Sequence, residues 1–234
     1  MLEDIIRAGF DTFGLNCSLE TLKKYRAYFE TLEETNKVMN LTAISGETDV
    51  AQLHFLDCAY LLTLTEFVGK TVFDIGTGAG FPGLAIKIAC PEIALTLLDS
   101  LEKRVNFLRT TCDTLGFSDV ECIHARAEEI TPDRREKADI VTSRAVAELN
   151  KLAELCLPYV KPGGIFLAMK GPGYDAELDN AKKCIRELGG KTEKCVSYTI
   201  PGTDVTHSAI LIRKVSPTPA KYPRRWAQIK KAPL

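Results

Sequence analysis

Histidine is scarce in this 234-residue chain. His54, His124 and His207 are its three, and they lie far apart, which speaks against a metal centre. The eight cysteines are scattered without a C-x-x-C pair, so neither zinc ligation nor a disulfide framework is encoded. Cys90, Cys122 and Cys156 fall in apolar segments, as buried free thiols in a reducing compartment do. No apolar run approaches the length of a membrane span, and Glu3, Asp4 and Arg7 interrupt any signal-peptide pattern. A cytoplasmic protein with no membrane partner is therefore expected. Net charge is also nearly absent, at −1, so attraction for a polyanion has to be local. What remains is an ordinary globular composition in a chain long enough to bury a full core, which suggests one α/β domain with an added segment.

The most informative stretch is Val72-Phe73-Asp74-Ile75-Gly76-Thr77-Gly78-Ala79-Gly80-Phe81-Pro82-Gly83. An apolar strand ends in a carboxylate, runs through alternating glycines and enters the helical run Leu84–Ala89. Glycines allow sharp turns and close approach of a ligand, and the helix N-terminus behind them offers unpaired N–H groups. Gly78-x-Gly80-x-x-Gly83 also satisfies the dinucleotide fingerprint, with Asp99 about 20 residues on. Asp74 argues the other way: beside the loop its charge repels a pyrophosphate and welcomes a cation. S-adenosylmethionine, a sulfonium with no phosphate, suits it better. The alternative is that Asp74 only caps the loop backbone.

Ile93–Asp99 is a second buried-type strand ending in an acid, followed by Ser100. Asp99 can accept both hydroxyls of a ribose or cap the next helix, and the two roles are compatible. In Val120–Glu129, Ala127 can lie beside an adenine and Glu128 can take its exocyclic amine; solvated surface is the simpler reading. Arg144, at the end of the strand Ala138–Ser143, is a planar donor able to grip a carboxylate, a phosphate or a guanine edge, or only a surface charge. Ile165–Lys170 reads as a fifth strand, Gly173–Leu188 as a helix, and Lys194–Ile200 and His207–Lys214 as a terminal strand hairpin. That order matches the seven-stranded methyltransferase sheet better than a dehydrogenase domain, which continues in parallel units.

Residues 1–66 show helical spacing over Leu2–Phe13, Leu19–Val38 and Asp49–Phe67, the expected helical layer on a sheet domain at 67–214. His54 and Asp57 share a helix face, either as a local pair or overhanging the crevice. After Asp204 there is no acid, yet Arg213, Lys214, Lys221, Arg224, Arg225, Lys230 and Lys231 follow, interleaved with Tyr222 and Trp226. Residues 215–234 thus read as a basic aromatic tail, suited to RNA or simply solvated, which four prolines lay over the body in extended form instead of as a helix.

Asn40-Leu41-Thr42-Ala43-Ile44, His54-x-x-Asp57, the glycine loop, Leu98-Asp99-Ser100-x-x-Lys103-Arg104, Ser143-Arg144-Ala145, Lys170-Gly171 and Tyr222-Pro223-Arg224 stand in this order. Together they resemble the bacterial small-subunit rRNA guanine-N7 methyltransferase family, RsmG or glucose-inhibited division protein B, over essentially the whole chain. The resemblance implies a Rossmann-like class I S-adenosylmethionine-dependent methyltransferase. It also implies methyl transfer to N7 of a guanine in 16S rRNA of the small ribosomal subunit. By the family pattern Gly76, Phe81, Ala127, Glu128 and Arg144 contact S-adenosylmethionine. Asp74, Gly78, Asp99 and Ser100, at the strand ends and in the loop, are expected to join them. Arg144 is expected to position the reactants without a general base, and Lys170, Arg224 and Arg225 to hold RNA. The protein is expected to act as a monomer. Competing readings are a methyltransferase for another acceptor and a non-enzymatic RNA- or ribosome-binding protein on this scaffold.

Overall fold

Alternation of short apolar runs with amphipathic ones produces a single seven-stranded sheet with helices on both faces. The computed structural model describes residues 1–144 and 147–234. Ala145, the last residue of the Ser143-Arg144-Ala145 motif, lies outside the described residues.

The strands are β1 (Thr71–Ile75), β2 (Ala94–Asp99), β3 (Val120–His124), β4 (Ala138–Arg144), β5 (Val160–Lys170), β6 (Gly190–Thr199) and β7 (Thr206–Lys214). Their spatial order is β3-β2-β1-β4-β5-β7-β6, parallel except for β7, which runs antiparallel between β5 and β6. The expected terminal hairpin is therefore present, with β6 beginning four residues before the predicted Lys194. The order reverses between β1 and β4, and a crevice opens there at the carboxyl ends of the strands.

Helix α1 (Leu2–Phe13) buries Leu2, Ile6 and Phe10 at helical spacing and stops at Gly14, whose φ of 67° is left-handed. In α2 (Leu19–Met39), Ser18 caps the start by accepting from the Thr21 N–H, and Asn40 ends it at φ 48°. The expected single helix 49–67 is a composite: α3 (Glu47–Val50), a π-helical turn (Ala51–Leu56), α4 (Asp57–Ala59) and a 3-10 turn (Tyr60–Thr63). Its wide turn carries His54, and Asp57 begins the next segment. Helices α5 (Gly83–Ala89), α6 (Glu102–Leu115), α7 (Leu149–Cys156) and α8 (Asp175–Glu187) connect the strands. Two apolar clusters lie in the fold, one including α1, α2 and the π turn, the other α7 and α8. Among the described residues no helix is long and apolar enough to cross a membrane.

The basic tail lies extended over the body as expected, and departs from that expectation only in ending as a helix. Residues 215–225 run without regular structure across the body, but α9 (Trp226–Lys231) follows. Lys214 is fully buried, its ammonium donating to the Leu157 carbonyl at 2.7 Å and pairing with Glu136 at 3.1 Å. Arg135 donates to the carbonyls of Tyr222 (2.7 Å) and Thr218 (2.9 Å). Arg224 forks onto Glu154, whose side chain is 1% exposed, through Nε at 2.8 Å and Nη2 at 2.6 Å. Its expected RNA contact is thus replaced by an internal one: a buried carboxylate requires this cation. Arg224→Ala is expected to lower the melting temperature by roughly 5–10 °C, from about 2–3 kcal/mol of lost stability in a chain of this size. Calorimetry together with an RNA-binding titration checks this; weakened RNA binding at an unchanged melting temperature would restore Arg224 to the RNA surface.

Candidate active site

The glycine loop leaves β1 and is organised around Asp74. This carboxylate is fully buried. Oδ2 accepts from the Gly83 N–H at 2.8 Å and the Thr77 hydroxyl at 2.6 Å, and Oδ1 accepts from Thr142 at 3.0 Å. Asp74 therefore clasps the two ends of the loop and does not line the crevice, which corrects its expected cofactor contact. Burial pushes its carboxyl up to about 6, against the lowering effect of those three donors. Gly83 is required here because a Cβ would stand 2.8 Å from the Asp74 Cβ. At Gly80, with φ of 101°, a Cβ would meet the Tyr28 hydroxyl at 2.5 Å. Gly78 differs: a Cβ there would meet nothing within 4 Å, so its backbone borders open space.

That space is the crevice. One part is bordered by Gly76, Thr77, Gly78, Asp99, Ser100 and Arg104. Asp99 is nearly buried; Oδ2 accepts from the Gly78 N–H and Oδ1 from the Leu101 N–H, both at 2.9 Å. It links the loop to the end of β2, lies 3.6 Å from the Arg104 guanidinium, and among the described residues accepts no further hydrogen bond, which leaves lone pairs for hydroxyl donors. A neighbouring slot continues from Gly76 and Ser100 and is lined by Ile75, Leu98, Ala125, Ala127, Glu128 and Leu155. Its last wall is Trp226, from α9. By its neighbours in sequence Trp226 belongs with the RNA-facing tail. The only available signal was that it follows two residues behind Arg224, whose buried anchor is a tertiary feature.

On the opposite side, Phe81 is buried between two rings: His54 stacks at 4.3 Å between centroids and Tyr28 at 5.3 Å. The Arg144 guanidinium lies 4.8 Å from the Phe81 centroid. Arg144 donates from Nη2 to His54 Nδ1 (2.9 Å) and from Nη1 to the Leu53 carbonyl (3.2 Å) and Asp57 (3.3 Å). Burial, reinforced by the Arg144 charge, depresses His54 to about 3. The ring is therefore neutral, accepts at Nδ1, and is left with Nε2–H for Thr42 Oγ1 at 2.9 Å. Thr42 is fixed in turn by Asn36, whose side chain accepts from the Leu41 and Thr42 N–H groups. Asp57 is wholly buried and also accepts from the Tyr198 hydroxyl at 2.7 Å and pairs with His207 Nδ1 at 2.9 Å. Its hydrogen bond holds His207 above the ordinary imidazole range. The partners of Asp57 on β6 and β7 were not foreseen, since no local pattern encodes them.

His54 and Arg144 border the crevice and also a second cavity of about 640 Å3, which reaches Met169, Lys170, Glu148, Glu177 and His207. They form the partition between the two spaces. Lys170 is held by Glu177 at 2.6 Å and donates to the Ala147 carbonyl at 2.6 Å. Arg225 is exposed at the start of α9, apart from these residues.

The family model described as rRNA small subunit methyltransferase G matches residues 21–204. The ribosomal RNA small subunit methyltransferase G of Acetivibrio thermocellus is 43% identical over 235 residues, covering 100% of this chain and 97% of that protein. The protein of the same name from Alkaliphilus oremlandii is 44% identical over 237 residues, covering 100% and 99%. Among solved structures, TrmN from Thermus thermophilus aligns with a TM-score of 0.54 at 20% identity over 69% of this chain and 49% of that one. M. jannaschii TYW2 in complex with AdoMet aligns at 0.53 and 14%, over 64% and 71%. These two likenesses concern the fold alone, which is the Rossmann-like class I methyltransferase fold expected from the strand order.

Proposed function

The chain belongs to the GidB family, rRNA small subunit methyltransferase G, and from that premise we propose that it transfers a methyl group from S-adenosylmethionine to N7 of a guanine in 16S ribosomal RNA. The observation that carries the reading is the shared partition: Arg144 and His54 border both a cofactor-sized crevice and a second cavity. The residues of the crevice fit S-adenosylmethionine. The open face of Gly78 admits a ligand against the backbone, Asp99 and Ser100 suit ribose hydroxyls, and the slot at Ala127 suits an adenine with Glu128 at its amine edge. Gly76 borders both parts, and Phe81, stacked on His54, lines the crevice.

When bound, S-adenosylmethionine supplies an electrophilic methyl group, and guanine N7 offers a lone pair with no proton to remove. The chain's task is then alignment and exclusion of water, so a neutral, hydrogen-bonded His54 suits the role of orienter. Described residues occupy three of Arg144's five N–H donors, and two remain for the O6 edge beside N7. The exposed Arg225 and Lys230 are the cations we assign to RNA phosphates, whereas Lys170, paired with Glu177, lines the second cavity where the acceptor base would enter. The protein acts as a monomer in the cytoplasm, on ribosomal RNA or an assembling particle.

The test is transfer of labelled methyl from S-adenosylmethionine to small-subunit particles from cells lacking this protein. One labelled guanine, modified at N7, is the expected result. Cofactor binding without label in 16S rRNA would overturn the acceptor and favour another substrate.

A further inference from the structure

We infer that Trp226 is a cofactor-contact residue: a strap formed by the C-terminal segment carries its indole to the adenine end of the crevice, where it completes the slot. The inference rests on the S-adenosylmethionine reading of that crevice and adds a wall from outside the sheet.

Three observations converge on it. The slot is apolar on its inner sides, at Ile75, Leu98 and Leu155, and a flat base placed there needs an apolar cover. Trp226 is half-buried and packs against the same cluster as Leu155 and Tyr159, whose hydroxyl donates to the Ala127 carbonyl at 2.9 Å. One ring thus fixes the Ala127 side of the slot while the indole borders it.

The strap is built to hold that position. Glu136 accepts from the Thr218 N–H, and Arg135 ties the carbonyls of Thr218 and Tyr222. Glu154 accepts from both the backbone N–H and the guanidinium of Arg224, two residues before Trp226. Behind it, Ile229 is fully buried and fixes α9. A solvated RNA-binding tail needs none of these anchors. A rigid wall needs them, because a tryptophan left to swing loses entropy each time the cofactor enters.

Trp226 is the chain's single tryptophan, so its emission reports on this position alone. The experiment titrates S-adenosylhomocysteine into the full chain and follows tryptophan emission and heat of binding in parallel. A saturable emission change with the calorimetric dissociation constant is expected. Trp226→Ala should weaken binding by about tenfold or more, as loss of a stacking surface does, while Trp226→Phe should recover most of it. Calorimetric binding with silent emission and unchanged affinity in Trp226→Ala overturns the strap proposal and leaves the cofactor reading intact. Emission that responds to an RNA oligonucleotide but not to S-adenosylhomocysteine overturns it in favour of base stacking on RNA. Absence of any calorimetric binding removes the cofactor reading and the inference with it.

Discussion

Replacing Arg144 with alanine is expected to lower methyl transfer to small-subunit RNA by about two orders of magnitude or more, the scale of losing a positioning group at the reacting centre. The size follows from how much converges on this side chain. It tethers the π turn through the Leu53 carbonyl, sets the tautomer of His54 and faces the buried Asp57. Lysine should not restore activity, because a point charge cannot reach a ring nitrogen, a carbonyl and a carboxylate from one planar fork. Asp57 keeps two partners in the variant, Tyr198 and His207, so the stability cost should stay near 2–3 kcal/mol. Single-turnover rates on folded protein, with melting temperature as the control, decide the matter. A folded Arg144→Ala enzyme within about threefold of the parent rate would remove the partition from the mechanism.

The second large effect separates two substitutions at one buried position. Asp74→Ala is expected to cost about 3–5 kcal/mol, since it leaves the Gly83 N–H and two hydroxyls without their acceptor. Asp74→Asn should be no less stable than the parent at pH 7.5. Its amide oxygen can face Gly83 and Thr77, and its nitrogen can donate to Thr142 Oγ1, which reverses its hydroxyl. The ionised parent is itself strained by burial. With a folded value of about 6 against 3.8 unfolded, Asp74 adds no pH dependence below about pH 4, where both states hold the proton. Stability then falls as pH rises to about 6, where the unfolded chain is the more ionised, by roughly 3 kcal/mol, and the loss stays constant above it. Asparagine removes that loss. Chemical denaturation of both variants at pH 5 and 7.5 tests the account: the advantage of Asn over the parent should grow with pH, and a flat difference would show that the clasp is not limited by desolvation.

Much of this site was legible because its signals are local. The strand–acid–glycine sequence around Asp74, the acid ending β2 and the cation ending β4 each report on a few consecutive residues, and the strand order follows from their alternation. Asp74 itself shows the limit. A carboxylate beside a glycine loop reads equally well as a ligand contact or a clasp, and only the positions of Gly83 and Thr142 distinguish them. The π turn was invisible because its residues keep helical spacing while the backbone widens. Arg224 looked like a free cation because its partner, Glu154, lies 70 residues earlier in an unremarkable helix. Trp226 was assigned by the company of its neighbours in sequence, whereas its place is set by anchors on α7 and by Arg135 and Glu136.

The insertion of β7 between β5 and β6 gives the chain an order of completion. Asp57 is made early, yet the hydroxyl and imidazole that face it arrive 141 and 150 residues later. Until β7 slides into its slot, β5 and β6 have no contact through which to pair, and the acid that steadies Arg144 lacks Tyr198 and His207. The wall at Trp226 comes later still. A chain emerging residue by residue can assemble β1 to β4 and the glycine loop well ahead, but a product that stops before β7 carries no finished site. Chemistry on ribosomal RNA thereby waits for β7 to be made and seated between its neighbours.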